Sequence, residues 1–115
     1  MERIPLRMLT TGAALLTAAS LTLPASAAID PDAAQALAKK SDCFKCHAVD
    51  KKKDGTPYRE VAKKYRGKAD AEDKLIKHIT TKPMVEVDGK KEEHRAVKST
   101  DMADIRNLVQ WILSQ

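Results

Sequence analysis

Aromatic side chains are scarce in this chain: Phe44, Tyr58, Tyr65 and Trp111 are all that 115 residues contain. So few flat apolar groups leave a thin core, and a chain this short is marginal without a metal, a disulfide or a cofactor to pack around. No basic segment has aromatics interleaved with it, which argues against a nucleic-acid surface. Only two cysteines occur, Cys43 and Cys46, and only three histidines, His47, His78 and His94. A zinc site would need two further ligands at short spacing, and His78 and His94 are far apart. A disulfide spanning two residues is strained and closes almost no loop. The stretch around the cysteines also lacks the strand character of a thioredoxin-like site. Beyond Leu23 there is no long apolar run, no repeat and no low-complexity segment.

The single apolar run, Met8 to Leu23, follows Arg3 and Arg7 and precedes Pro24-Ala25-Ser26-Ala27-Ala28. A basic start, an apolar middle and small residues at the end make a secretory signal peptide. The run is too short and too rich in Ala and Thr for a membrane span, which takes about 20 strongly apolar residues. The expected organisation is a cleaved leader over 1–27 and one domain over 28–115. Losing Glu2, Arg3 and Arg7 lowers the formal charge from +5 to about +4. The mature protein is expected to be soluble and not membrane-spanning.

Cys43-Phe44-Lys45-Cys46-His47 is the C-x-x-C-H pattern of c-type haem attachment. Two thiols at this spacing reach the two vinyl groups on one edge of a porphyrin. The adjacent imidazole is then held against the iron. Cys43, Cys46 and His47 are accordingly the expected attachment and proximal ligand residues for one covalent haem.

The rest of the chain reads as helices. Asp30-Pro31 offers an N-cap followed by proline at the first helical position, and Ala33, Ala34, Leu37 and Ala38 share a face up to about Lys40. Asp54-Gly55 is a turn signal after Lys51-Lys52-Lys53. Pro57 opens a short helix through Tyr65 with Gly67 as its stop, and Ala71, Leu75, Ile76 and Ile79 stripe a third helix that starts near Asp70. Met84 to Val87 alternates around Asp88-Gly89, predicting a hairpin or an ordered loop with Lys90 to His94 returning. Thr100 or Asp101 caps a last helix striped by Met102, Ile105, Leu108, Val109, Ile112 and Leu113, with Trp111 beside the stripe.

An N-terminal helix, C-x-x-C-H, two short helices, a ligand loop and a closing helix resemble the class I c-type cytochromes, and the short bacterial periplasmic ones most of all. Gly55-Thr56-Pro57-Tyr58 through Val61-Ala62 and Lys64-Tyr65, Ala71 to Leu75, and Thr100-Asp101 through Trp111-Ile112-Leu113-Ser114 are similar to segments of that family. The resemblance implies an all-α class I fold, about four helices around one covalently bound haem. In the family a proline after the glycine accepts a hydrogen bond from the proximal histidine through its carbonyl. Here Thr56 holds that place, and any residue's carbonyl can serve, fixing the imidazole and raising its basicity.

The family's distal loop, with methionine in a W-G-x-x-P-M-P-P type run, is absent. His94 stands at the distance from the last helix where that methionine is found, so His94 is the expected distal ligand and Met84, which follows Pro83, the alternative. Met102 lies on the apolar stripe and is read as core, and His78, beside Lys74 and Lys77, as a solvated surface histidine. A second imidazole lowers the reduction potential, whereas a thioether raises it. The function expected is therefore single-electron transfer between respiratory partners by a monomeric periplasmic carrier that is not an enzyme. A His/Met donor to a terminal oxidase or reductase is one alternative. A haem-based small-ligand binder or peroxidase-like protein, with an open distal site, is the other. Lys45, Lys51, Lys52 and Lys53 near the motif, with Lys90 and Lys91 near the distal side, point to acidic redox partners, a donor cytochrome or quinol-oxidising complex and an acceptor oxidase or reductase.

Overall fold

Among the described residues, four helices and one hairpin follow the order the periodicity predicts. The computed structural model describes residues 18–21 and 28–115. The expected leader over 1–27 thus lies outside the described residues except for 18–21, which are exposed and carry no helix or strand. The helices are α1, Pro31–Lys40, α2, Tyr58–Tyr65, α3, Ala71–Thr80, and α4, Met102–Leu113. Strands β1, Met84–Val87, and β2, Lys90–Glu93, lie between α3 and α4. Among the described residues no helix is long and apolar enough to cross a membrane.

Helix α1 starts where Asp30 accepts a hydrogen bond from the Ala33 amide at 3.0 Å, with Pro31 at the first helical position as the N-cap rule requires. Its packing face is narrower than the pattern predicts. Ala34 and Ala38 are fully buried, while Ala33 is exposed and Leu37 half-buried. Two alanines one turn apart let α1 lie close against α4. A reciprocal amide clamp fixes that crossing: the Asp30 amide donates to Asn107 Oδ1 and Asn107 Nδ2 donates to the Asp30 carbonyl, both at 2.9 Å.

Helix α4 is the spine that α1, α2 and α3 all contact. Ile105, Leu108, Val109, Trp111 and Ile112 are buried along it, and Asp101 caps it by accepting from the Ala103 amide at 2.8 Å. Met102 departs from expectation. It is 45% exposed, because it occupies the first helical position, a turn ahead of where α4 meets its neighbours. The main core joins Ala34, Ala38, Tyr58, Leu108, Trp111 and Ile112.

The alternating segment forms a hairpin and not a loop. Met84 pairs with Glu93 and Val87 with Lys90 in antiparallel register. Asp88 and Gly89 both have positive φ, 50° and 76°, the backbone a two-residue type I′ turn demands. Period two sends Val85 and Val87 inward and leaves Met84 and Glu86 outside. The His94 amide donates to the Pro83 carbonyl at 2.8 Å and closes the base of the hairpin.

Candidate functional site

The cysteines sit on a tight turn immediately after α1. Asp42 adopts the left-handed conformation at φ 62°, reversing the chain so that Cys43–Lys45 make one turn of 3₁₀ helix. The His47 and Cys46 amides both donate to the Cys43 carbonyl, at 2.9 and 3.2 Å, which sets thiol, thiol and imidazole in one compact unit. The loop that follows is tied back to it. Lys53 Nζ donates to the Phe44 carbonyl at 2.5 Å, and the Gly55 amide donates to the Cys46 carbonyl at 2.6 Å.

His47 is held on several sides. Its Nδ1 lies 2.7 Å from the Thr56 carbonyl oxygen. A carbonyl only accepts, so Nδ1 carries the proton and Nε2 is left with a free lone pair. The bond falls at Thr56, the position the sequence offers for it. Its ring stacks on Tyr58, with centroids 5.1 Å apart and planes 18° apart. Tyr58 is buried, and burial drives its phenol far above the usual range, so it stays neutral. Tyr58, Phe44 and Trp111 meet edge to face at 5.8 to 6.4 Å, a packing mode aromatic pairs favour. Three of the chain's four aromatics thus pack together beside the motif.

A cavity of about 520 Å³ opens in front of it, within the usual range for cofactor sites. Cys43, Cys46 and His47 line one wall, and His94 lines it too. Leu75 and Ile79 of α3, Val85 and Val87 of β1, and Leu108, Val109 and Ile112 of α4 supply apolar surface. Met84 is 60% exposed, on the strand face opposite Val85 and Val87. The ring centroids of His47 and His94 are 6.2 Å apart. His94 Nδ1 lies 2.8 Å from the Arg95 carbonyl, so it too donates there and presents Nε2.

His78 is exposed, as expected of a surface histidine, yet its ring lines the same cavity and lies 4.5 Å from that of His94, edge to face. Burial lowers the proton affinity of His94 and then the nearby His78 lowers it further. Burial and then His47 do the same for His78. Both are therefore biased to neutral rings. Burial also pushes the Cys43 thiol up. Asp42, one residue before Cys43, gathers Lys98 at 3.1 Å, Arg95 at 3.2 Å and Lys45 at 3.4 Å.

The residues that could hold a flat metal-centred cofactor are these two thiols and two imidazoles, which line the same cavity as the aliphatic side chains of α3, β1 and α4. The donor set fits a haem, and the fold around it defines a small helical haem-binding protein. The Cytochrome c family model matches residues 31–115, and the chain belongs to that family. Cytochrome c-551 of Allochromatium vinosum is 38% identical over 80 residues, 67% of this chain and 80% of that protein. Cytochrome c-552 of Hydrogenobacter thermophilus is 38% identical over 85 residues, 68% of this chain and 76% of that one. Among solved structures, the class 1 cytochrome MtoD from Sideroxydans lithotrophicus ES-1 is 54% identical with a TM-score of 0.73, covering 76% of this chain and 97% of its own. Nitrosomonas europaea cytochrome c552 is 30% identical with a TM-score of 0.55, covering 70% and 96%. The protein is thus a small class I c-type cytochrome with one covalently attached haem c, and electron transfer is its function.

The motif, the Thr56 carbonyl and the approach of His94 were all legible before the fold. The close fit of Gly55 to His47 was not. A Cβ there would stand 2.6 Å from His47 Cε1. The only signal in the sequence was the glycine's place in a turn. The approach of His78 to His94 was also missed, since it depends on how α3 meets the distal segment.

Proposed function

We propose that this chain is an exported, single-haem electron carrier whose iron has two axial imidazoles, His47 and His94, with thioethers at Cys43 and Cys46. The observation that carries the reading is the 6.2 Å between the two ring centroids. Two imidazoles bonded on opposite sides of one metal at about 2 Å have ring centres about 6 Å apart. Both rings also direct Nδ1 to a backbone carbonyl, the second contact that orients metal-bound histidines. Met84 fits less well, being exposed and outside the cavity lining.

Bound haem supplies reversible one-electron exchange at its iron. This chain's residues keep that exchange easy. His47 and His94 are each tied to backbone at Nδ1, which limits their movement when the charge on the site changes, and aliphatic side chains of α3, β1 and α4 line much of the cavity. Two neutral nitrogen donors favour the oxidised state more than a thioether would, placing the carrier at the lower-potential end of a respiratory chain. With both axial positions filled, bond-making chemistry at the iron is disfavoured, which suits a carrier and not an enzyme.

The leader-like 1–27 supports export, and the bacterial relatives favour the periplasm as the destination. Partners are acidic proteins. Lys45, Arg95 and Lys98 share the single Asp42 carboxylate, so the surface beside Cys43 keeps a positive excess that steers an acidic donor or acceptor. Lys53 is engaged with the Phe44 carbonyl and serves the loop instead.

The test is the ferric absorption and electron paramagnetic resonance spectra of wild type, His94→Ala and Met84→Leu. Wild type and Met84→Leu are expected to be low-spin without a methionine-to-iron charge-transfer band, and His94→Ala to become high-spin. A band in wild type that Met84→Leu abolishes would overturn the bis-histidine reading.

A further inference from the structure

The distal wall carries two imidazoles, and one of them, that of His94, has the spacing of a ligand to the same metal as His47. Helix α3 turns Leu75, His78 and Ile79 toward the cavity. The His78 ring meets that of His94 with centroids 4.5 Å apart and planes 60° apart. This is the edge-to-face arrangement that flat rings adopt in preference to a face-to-face sandwich.

Backbone bonds on either side of His94 hold its segment beside α3. The His94 amide donates to the Pro83 carbonyl and the Val97 amide to the Ile79 carbonyl, both at 2.8 Å. Pro83 lies just beyond the end of α3, and Ile79 is the neighbour of His78 in the chain. The distal segment is therefore stitched to the element that carries His78, before and after His94. The bond from His94 Nδ1 to the Arg95 carbonyl at 2.8 Å anchors one edge of the ring but leaves rocking about that edge open. The His78 ring packs against that of His94, and the angle between the His47 and His94 planes is 49°.

We propose that His78 is a positioning residue, whose ring packs edge to face on His94 and fixes the plane of the His94 imidazole relative to that of His47. The proposal rests on the bis-histidine reading above. Its consequence is electronic. The d orbitals of a low-spin ferric iron split according to the angle between its two axial ring planes. A defined angle gives one sharp set of g values, and a loose ring gives a spread. A carrier gains one potential instead of a distribution of potentials.

The experiment compares the electron paramagnetic resonance spectra of ferric holoprotein as wild type, His78→Ala and His78→Phe, with circular dichroism as a check on α3. His78→Ala is expected to stay low-spin while its largest g value shifts and its lines broaden. His78→Phe keeps a flat ring in the contact and is expected to return the g value and width most of the way to wild type. Wild-type g values and widths in His78→Ala would overturn the proposal, as would a shift in His78→Phe as large as that in His78→Ala. A methionine-to-iron band in wild type would overturn the bis-histidine reading itself, and it is seen before any His78 variant is made.

Discussion

Gly55→Ala is the smallest change that reaches the proximal imidazole. An added Cβ would stand 2.6 Å from His47 Cε1, 2.7 Å from Nδ1 and 2.9 Å from the Cys46 carbonyl oxygen. Relaxed carbon contacts lie at about 3.5 to 4.0 Å, so the ring or the loop must give by about 1 Å. Neither gives freely. The ring is stacked on buried Tyr58, and the loop is bonded through the Gly55 amide to the Cys46 carbonyl. Overpacking of this kind costs about 1 to 3 kcal/mol. Breaking the His47–Thr56 bond adds about 1 kcal/mol. A loss of about 2 to 4 kcal/mol is expected, which moves the guanidinium unfolding midpoint of the ferric holoprotein down by about 1 M. Weakening the bond at Nδ1 also makes the imidazole a poorer donor, so the reduction potential should rise. An alanine variant that unfolds within a few tenths of a molar of wild type, at an unchanged potential, would refute the argument that Gly55 is there to let His47 and Thr56 meet.

Two further changes probe the frame. Leu108 is 1% exposed and joins the core that holds Tyr58 and Trp111 while also lining the cavity; Leu108→Ala should cost about 2 to 5 kcal/mol in denaturant unfolding, and a loss well below 1 kcal/mol would mean the wall collapses freely. Asp42 is held below the ordinary carboxylate range by hydrogen bonds from Lys98 and then Lys45. Its ionised form therefore stabilises the fold above the unfolded carboxyl's pKa of about 3.9, and that contribution disappears as pH falls through the depressed folded value. Asp42→Asn tolerates the same left-handed backbone, so its thermal midpoint should lie below wild type near neutrality and converge with it in strong acid. A gap that stays constant with pH would show that the carboxylate charge contributes nothing.

Local chemistry wrote most of the architecture into the chain. Asp30-Pro31, Asp101, the Asp88-Gly89 turn and the stripes on α3 and α4 are signals spanning a few residues, and each produced the element it predicts. What escaped was made by contacts far apart in sequence. The clamp of Asp30 on Asn107, the Lys98 amide on the buried Ser41 hydroxyl and the meeting of His78 with His94 depend on where helices cross, which no periodicity encodes. Met102 fails for a related reason. A stripe says which face is apolar but not how far along the helix its neighbours extend. The candidate site was legible to the degree that it is local: C-x-x-C-H holds its own geometry, whereas the distal residue had to be chosen by counting back from a helix cap.

The division of the core explains why so few aromatics suffice. Phe44, Tyr58 and Trp111 are gathered in contact with one another beside His47, with Tyr58 also reaching the cavity, while α3, β1 and α4 bring mostly aliphatic side chains to the cavity wall. The rigid groups thus support the proximal ring, and the softer surface is left to conform to a flat cofactor. The segment that carries His94 is restrained differently, by backbone bonds from His94 to Pro83 and from Val97 to Ile79. An electron carrier benefits from this asymmetry. On the bis-histidine reading, a ligand held by packing and a ligand on a hydrogen-bonded segment are both restrained before the cofactor's charge changes, so little of the surrounding structure has to rearrange when an electron arrives or leaves.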